Sequence, residues 1–139
     1  MKIANLGVIS TPADAAAMIR EALPKEQREE RVFVLLLDAH GKVLAKPILV
    51  SVGHEDGAAA IDAGAIFREA LKAGAEEITV AHNHPSGDPT PSKADYDTTA
   101  RLNDGANLVG LELIDHPIIG APESENGLGF VSMAELMAG

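Results

Sequence analysis

Apolar positions change their spacing several times along this chain, and each change marks an element. STPADAAAMIREALP, residues 10–24, predicts a first helix. Thr11 can serve as its N-cap, Pro12 suits the first turn, and Pro24 ends it. KEQREER is a charged connector. RVFVLLLD, residues 31–38, is almost continuously apolar and predicts a strand buried on both faces, or nearly so. AHGK makes a turn into a second strand, VLAKPILVSVG, so the two form a hairpin. Pro47 puts that second strand at an edge or gives it a bulge. The next helix lies within HEDGAAAIDAGAIFREALKAGA and is centred on Ala63–Ala73, with Ile66, Phe67, Ala70 and Leu71 on one face. EEITVAH predicts a short central strand, and SKADYDTTARLNDGANLVG a third helix. LELIDHPIIG predicts another strand, APESENGLG a polar loop, and FVSM a short last strand before a helical tail. This order specifies a mixed α/β fold of the α+β type, one sheet flanked by helices. Residues 1–139 are expected to form a single domain.

Composition narrows the picture without changing it. The chain is 46% hydrophobic and 23% charged, but only 3% aromatic, so its core must be built from Val, Leu, Ile and Ala. No apolar run approaches the roughly 20 residues of a membrane span, and the first residues make a poor signal peptide. A cytoplasmic protein is expected. Cysteine is absent, which excludes disulfides and leaves His, Asp and Glu as the strong metal-binding side chains. The net charge is −10, and no Lys or Arg follows Arg101. Nucleic-acid affinity comes largely from basic side chains on phosphates, so the balance argues against DNA as the primary ligand. A local basic patch could still draw on Arg20, Lys25, Arg28 and Arg31.

Candidate chemistry concentrates in AHNHPSGDPTPSKAD, residues 81–95. Side chains alternate along a strand, so Val80, His82 and His84 point the same way if the strand runs that far. Two imidazoles on one side of a strand end can begin a metal site. A catalytic zinc usually takes three protein ligands, and Asp95, in the first turn of the next helix, is the best candidate for the third. A plainer reading exists beside it. Ser92 and Asp95 have capping-box spacing, and the histidines could be ordinary loop residues. The two readings are compatible, because a cap would also hold Asp95 in place.

The spacing His82-x-His84, seven residues, Ser92, two residues, Asp95 resembles the signature of the JAMM (JAB/MPN) zinc metallopeptidases. HNHPSGDPTPSKAD resembles in particular the RadC-like branch of that superfamily. FREALKAGAEEITVAHNHPSG, DYDTTARL, LIDHPIIG and FVSM are also similar to RadC-like segments, so the resemblance covers roughly residues 10–138. It implies a cytidine-deaminase-like architecture, with zinc held by His82, His84 and Asp95. It also implies a glutamate general base at the start of an early strand, for which Glu29 and Glu30 are the candidates. Counting back from Leu37-Asp38, the match falls on Glu30, which alternation puts on the face of Val32, Val34 and Leu36. Ser92 would donate a hydrogen bond to a developing oxyanion, a role worth about 2.7–4 kcal/mol where such donors have been removed.

The implied function is zinc-dependent hydrolysis of a peptide or isopeptide bond in a peptide or protein substrate. The competing reading is a non-enzymatic interaction module associated with DNA repair. The contiguous letters H-N-H carry no weight for a nuclease, whose HNH residues are scattered over a ββα motif. Extended RadC-like proteins carry a helix-hairpin-helix region that is not expected here. Ala63-Gly64-Ala65 also departs from the Pro-Arg-Glu frequent in relatives, which weakens inference about substrate but not about metal. Asp115 and His116 are expected to make structural hydrogen bonds. Asn83 and Ser86 should shape the loop, and His40, His54 and Asp88 fit turns. The edge strand bearing Pro47 could pair with a second copy to give a homodimer.

Overall fold

The structure is a computed structural model that describes residues 5–53 and 61–138; His54 lies outside them. Helix α1 (Pro12–Ala22) starts at Thr11, whose side chain accepts from the Asp14 N–H while Asp14 accepts from the Thr11 N–H. Leu23 caps the other end, one residue before Pro24. Strand β1 (Glu30–Leu37) then forms an antiparallel hairpin with β2 (Ile48–Gly53). The second strand is shorter than VLAKPILVSVG predicts, because it begins only after Pro47. Val43 instead makes an isolated bridge to Leu37 across the Asp38–Lys42 turn. As expected of Pro47, β2 lies at the sheet edge, and its pairing carries a bulge at Val32/Phe33.

Helix α2 (Ala63–Lys72), strand β3 (Glu77–Asn83) and helix α3 (Lys93–Leu108) follow. LELIDHPIIG departs from the single strand expected. It forms β4 (Glu112–Asp115) and β5 (Pro117–Ile119), broken at His116. Both run parallel to β3: Glu77 and Ile78 pair with Glu112 and Leu113, whereas His82 and Asn83 pair with Ile118 and Ile119. Pro117 has no N–H for a continuous ladder. The register shift at Ile78/Thr79 falls along the same stretch. A short helical segment α4 (Ser124–Gly127) occupies the polar loop, and β6 (Phe130–Ser132) leads into α5 (Met133–Ala138).

The result is one six-stranded mixed sheet of order β2-β1-β3-β5-β6, with β4 also on β3. Helices cover both faces. Val32, Val34, Leu36, Ile78 and Val80 pack against Ile66 and Ala70 of α2 and Leu102 and Ala106 of α3. Phe33, Leu35, Leu37 and Ala81 pack against Ala15, Ala16 and Ile19 of α1. Burial on both faces explains why β1 reads as a continuous apolar run. Among the described residues, no helix is long and apolar enough to cross a membrane.

One glycine seats the histidine loop. A Cβ on Gly120 would lie 2.5 Å from the Gly87 carbonyl oxygen and 2.6 Å from Pro89 Cδ. Beside it, the Ala121 N–H donates to that same carbonyl at 2.7 Å. Gly120→Ala should therefore push the loop off the end of β5 and lower stability by about 1–3 kcal/mol, the usual cost of overpacking. Urea unfolding would read the loss; an unchanged midpoint would mean that the loop yields without strain.

Candidate metal centre

Four chain segments meet where β3 ends. β3 runs between β1 and the β4–β5 pair, so its C-terminal end opens beside the start of α3. This is the usual place for ligands in open α/β sheets. Register pairs Val32 with His82, which puts Glu30, two residues earlier in β1, on the same face as His82. β3 ends at Asn83, and His84 follows it, tied to β5 by its N–H on the Ile119 carbonyl at 2.9 Å. The chain reverses through Pro85–Gly87, where the Gly87 N–H donates to the His84 carbonyl. Gly87 has φ +90°, a left-handed value that favours glycine. Asp88 is the turn former the sequence suggests, its carboxylate accepting from the Thr90 N–H and hydroxyl.

Ser92 opens α3 with a reciprocal capping box. Its Oγ accepts from the Asp95 N–H at 3.2 Å, and Asp95 Oδ2 accepts from the Ser92 N–H at 2.8 Å. The same Asp95 carboxylate reaches both imidazoles, Oδ1 at 3.2 Å from His82 Nε2 and Oδ2 at 3.3 Å from His84 Nε2. The capping contact and the imidazole contacts coexist on one side chain. His82 Nε2 lies 3.2 Å from His84 Nε2 and 3.4 Å from Glu30 Oε1. His82 is buried, whereas the Glu30 and His84 side chains keep 12% and 19% of their surface exposed. Glu29 is exposed, just outside the strand.

Hydrogen bonding fixes one imidazole outright. His84 Nδ1 lies 2.9 Å from the Asp88 carbonyl oxygen, which can only accept, so Nδ1 carries the proton and neutral His84 presents a lone pair at Nε2. Burial works against charge on His84, yet hydrogen bonds to Asp95 and the Asp88 carbonyl raise its pKa above the ordinary histidine value. Burial likewise opposes ionisation of Asp95. Contacts with the His82 and His84 imidazoles, which donate to it when they are protonated, and the hydrogen bond from the Ser92 N–H outweigh it and hold the carboxyl well below the usual carboxylate range. Electron-rich atoms thus crowd one point, where a cation could bind.

Glu30, His82 and His84 form a group that could hold a metal ion, their ligand atoms all within 4.8 Å of one another. Asp95 adds a fourth donor residue. Ligand bonds of about 2.0–2.1 Å in a tetrahedron put neighbouring ligand atoms about 3.3–3.4 Å apart. The His82–His84 separation of 3.2 Å and the 3.2 and 3.3 Å contacts of the two Asp95 oxygens with them are of that size. A cleft of about 430 Å³ lies alongside, lined in part by His84, Pro85, Arg20, Lys25 and Gln27.

Two contributors escape sequence reasoning, Asn83 in its clamping role and Thr99, while His116 makes the structural hydrogen bonds expected of it. Asn83, expected only to shape the loop, is buried and faces the start of β1. Its Oδ1 accepts from the Arg31 N–H at 2.7 Å, and its Nδ2 donates to the Glu29 carbonyl and Gln27 Oε1, both at 3.1 Å. It thereby clamps the residues on either side of Glu30. His116 is buried, with Nε2 2.7 Å from His82 Nδ1, and Thr99 Oγ1 lies 2.7 Å from His116 Nδ1. Burial pushes the His116 pKa down to about 3, and charge on His82 pushes it the same way. Asp115 is structural, as expected. Its carboxylate accepts from the N–H groups of His116 and Ala134 and from the Ser132 hydroxyl.

Comparison with known families matches residues 9–138 to the RadC-like JAB domain. The chain is similar to a UPF0758 protein of Clostridium perfringens, 40% identical over 112 residues, covering 81% of this chain and 48% of the relative. It is 44% identical over 94 residues to one from Carboxydothermus hydrogenoformans, covering 68% and 41%. With one from Geobacillus sp. (strain WCH70) it shares 36% identity over 128 residues, covering 92% and 53%. The chain spans about half the length of these curated relatives.

The clamp is testable. Asn83→Ala removes three hydrogen bonds beside Glu30 and should cost about 1–3 kcal/mol. Hydrogen exchange at the Arg31 amide should accelerate well beyond that of amides in mid-β1. Exchange as slow as in the wild type would show that backbone pairing alone holds this end.

Proposed function

This chain belongs to the RadC-like JAB domain family, and on that premise we propose that it is a zinc-dependent hydrolase of peptide or isopeptide bonds. The observation that supports this most directly is the meeting of Glu30, His82, His84 and Asp95 at the end of β3, beside an open cleft. In this reading His82, His84 and Asp95 hold the metal. Bound zinc would supply a Lewis acid that polarises a substrate carbonyl and makes a water acidic near neutral pH.

The chain's own residues do the rest. Glu30 accepts the proton of the attacking water and returns it to the leaving nitrogen, as a general base and then a general acid. Its partial exposure gives it access to both. Ser92 uses its hydroxyl oxygen as an acceptor from the Asp95 N–H. A hydroxyl so engaged still has one proton to donate, and that proton would meet the carbonyl oxygen as negative charge develops. Substrate would lie in the cleft against Pro85, with its scissile carbonyl toward His84.

Elemental analysis of protein reconstituted with zinc should find about one ion per chain, lost in His84→Ala and Asp95→Asn. Glu30→Gln should keep the ion but lower hydrolysis of a fluorogenic peptide and isopeptide panel by about 10²–10⁴-fold. Zinc lost from Glu30→Gln but kept in Asp95→Asn would exchange the roles of the two acids. No uptake of zinc by the wild type would end the hydrolase reading.

A further inference from the structure

We propose that Thr99 and His116 are positioning residues that fix the tautomer of His82, holding the proton on Nδ1 and aiming the Nε2 lone pair into the centre. The argument rests on counting hydrogens along a buried chain of contacts. Thr99 Oγ1 touches two groups, the Asp95 main-chain carbonyl oxygen at 2.9 Å and His116 Nδ1 at 2.7 Å. A threonine hydroxyl has one proton. The carbonyl can only accept, so that contact is a hydrogen bond only if Thr99 donates to it. The contact with His116 is then a hydrogen bond only if His116 Nδ1 donates. The opposite assignment would set two lone pairs against each other at 2.9 Å in a buried site, where an unmet polar group is costly.

His116 is fully buried, and its two ring nitrogens meet the Thr99 hydroxyl and the His82 imidazole rather than a carboxylate, so the ring is neutral, because burying an unpaired charge is costly. With its proton on Nδ1, its Nε2 can only accept. The 2.7 Å contact with His82 Nδ1 is therefore a donation from His82. The chain runs in one direction: His82 to His116, His116 to Thr99, Thr99 to Asp95. It ends on the backbone of the residue whose carboxylate lies 3.2 Å from His82 Nε2. His84 is oriented in the same sense by the Asp88 carbonyl. Both imidazoles thus offer Nε2, and the two ring nitrogens lie 3.2 Å apart.

The tautomer follows from protein hydrogen bonds alone; only its consequence for metal affinity rests on the function proposed above. Long-range ¹H–¹⁵N correlation spectra of the metal-free protein, taken well above the ordinary histidine pKa, report which ring nitrogen is protonated. The expected wild-type pattern is Nδ1–H on both His82 and His116. Thr99→Val keeps the shape but removes both the acceptor and the donor. His116 should then turn to the Nε2–H form, and His82 with it, whereas Thr99→Ser should restore the wild-type pattern. Zinc affinity should fall about 10–100-fold in the valine variant and recover in the serine variant. A His82 without a proton on Nδ1 in the wild type would overturn the proposal, as would a valine variant with an unchanged pattern. Should the valine variant fail to fold, the wild-type spectrum alone decides the direction. Failure of the wild type to take up zinc would overturn the hydrolase reading and leave the tautomer pattern to judge this one.

Discussion

The register of β1 against β3 is the constraint on which the centre depends. Val32 opposite His82 brings Glu30 to the same face as the histidines. A slip of one residue would turn every β1 side chain to the other face, sending Glu30 toward α1. In most half-buried sheets the apolar pattern forbids such a slip. Here it does so weakly, because Val32 through Leu37 are buried on both faces of the sheet. The decision passes to polar groups at the strand end. Asn83 ties Gln27, Glu29 and Arg31 with three directional bonds, and the one to the Gln27 side chain depends on this register.

Buried polar groups are costly unless their partners are in place, and this fold gathers them at one end of the sheet. His82, Asn83, Asp95, Thr99, Asp115, His116 and Ser132 are all buried. They form three local networks: Asn83 on β1, the His82–His116–Thr99 chain, and Asp115 with Ser132 and α5. The break between β4 and β5 makes the second possible. There the Asp115 carboxylate accepts the His116 N–H, leaving the imidazole to reach His82 and Thr99. What looks like a defect in the strand is how a histidine enters the interior beneath the candidate metal centre.

The elements that were legible in the sequence are those whose cause is local. Thr11 with Pro12, the apolar run of β1, and the amphipathic α2 each specify themselves within a few residues. So does the loop from His82 to Asp95, because fold and chemistry there share fourteen consecutive positions. Glu30 could be picked out only by resemblance, since nothing in EERVFVLLLD distinguishes it from Glu29 except alternation. Asn83, Thr99 and His116 were not legible as a set. Their partners lie 52, 17 and 34 residues away, and spacing carries no trace of such contacts. LELIDHPIIG misled because strand pattern and propensity say nothing of a break that tertiary hydrogen bonding stabilises.

Two carboxylates face the same imidazoles, and their attachments to the chain suit them to different work. Asp95 is short, sits in the first turn of a helix, and has both oxygens committed, one to His82 and the other to His84 and the Ser92 N–H. Moving it would break the cap of α3. A metal ligand benefits from such rigidity, because each ordering cost met by the fold is one that the ion does not have to meet. Glu30 has a longer side chain, begins a strand, and remains partly exposed. The general base proposed above would carry a proton between water and a leaving nitrogen, and so would have to change partners within one turnover. The fold therefore makes one acid rigid through a helix cap. It leaves the other on a clamped backbone with a side chain long enough to move.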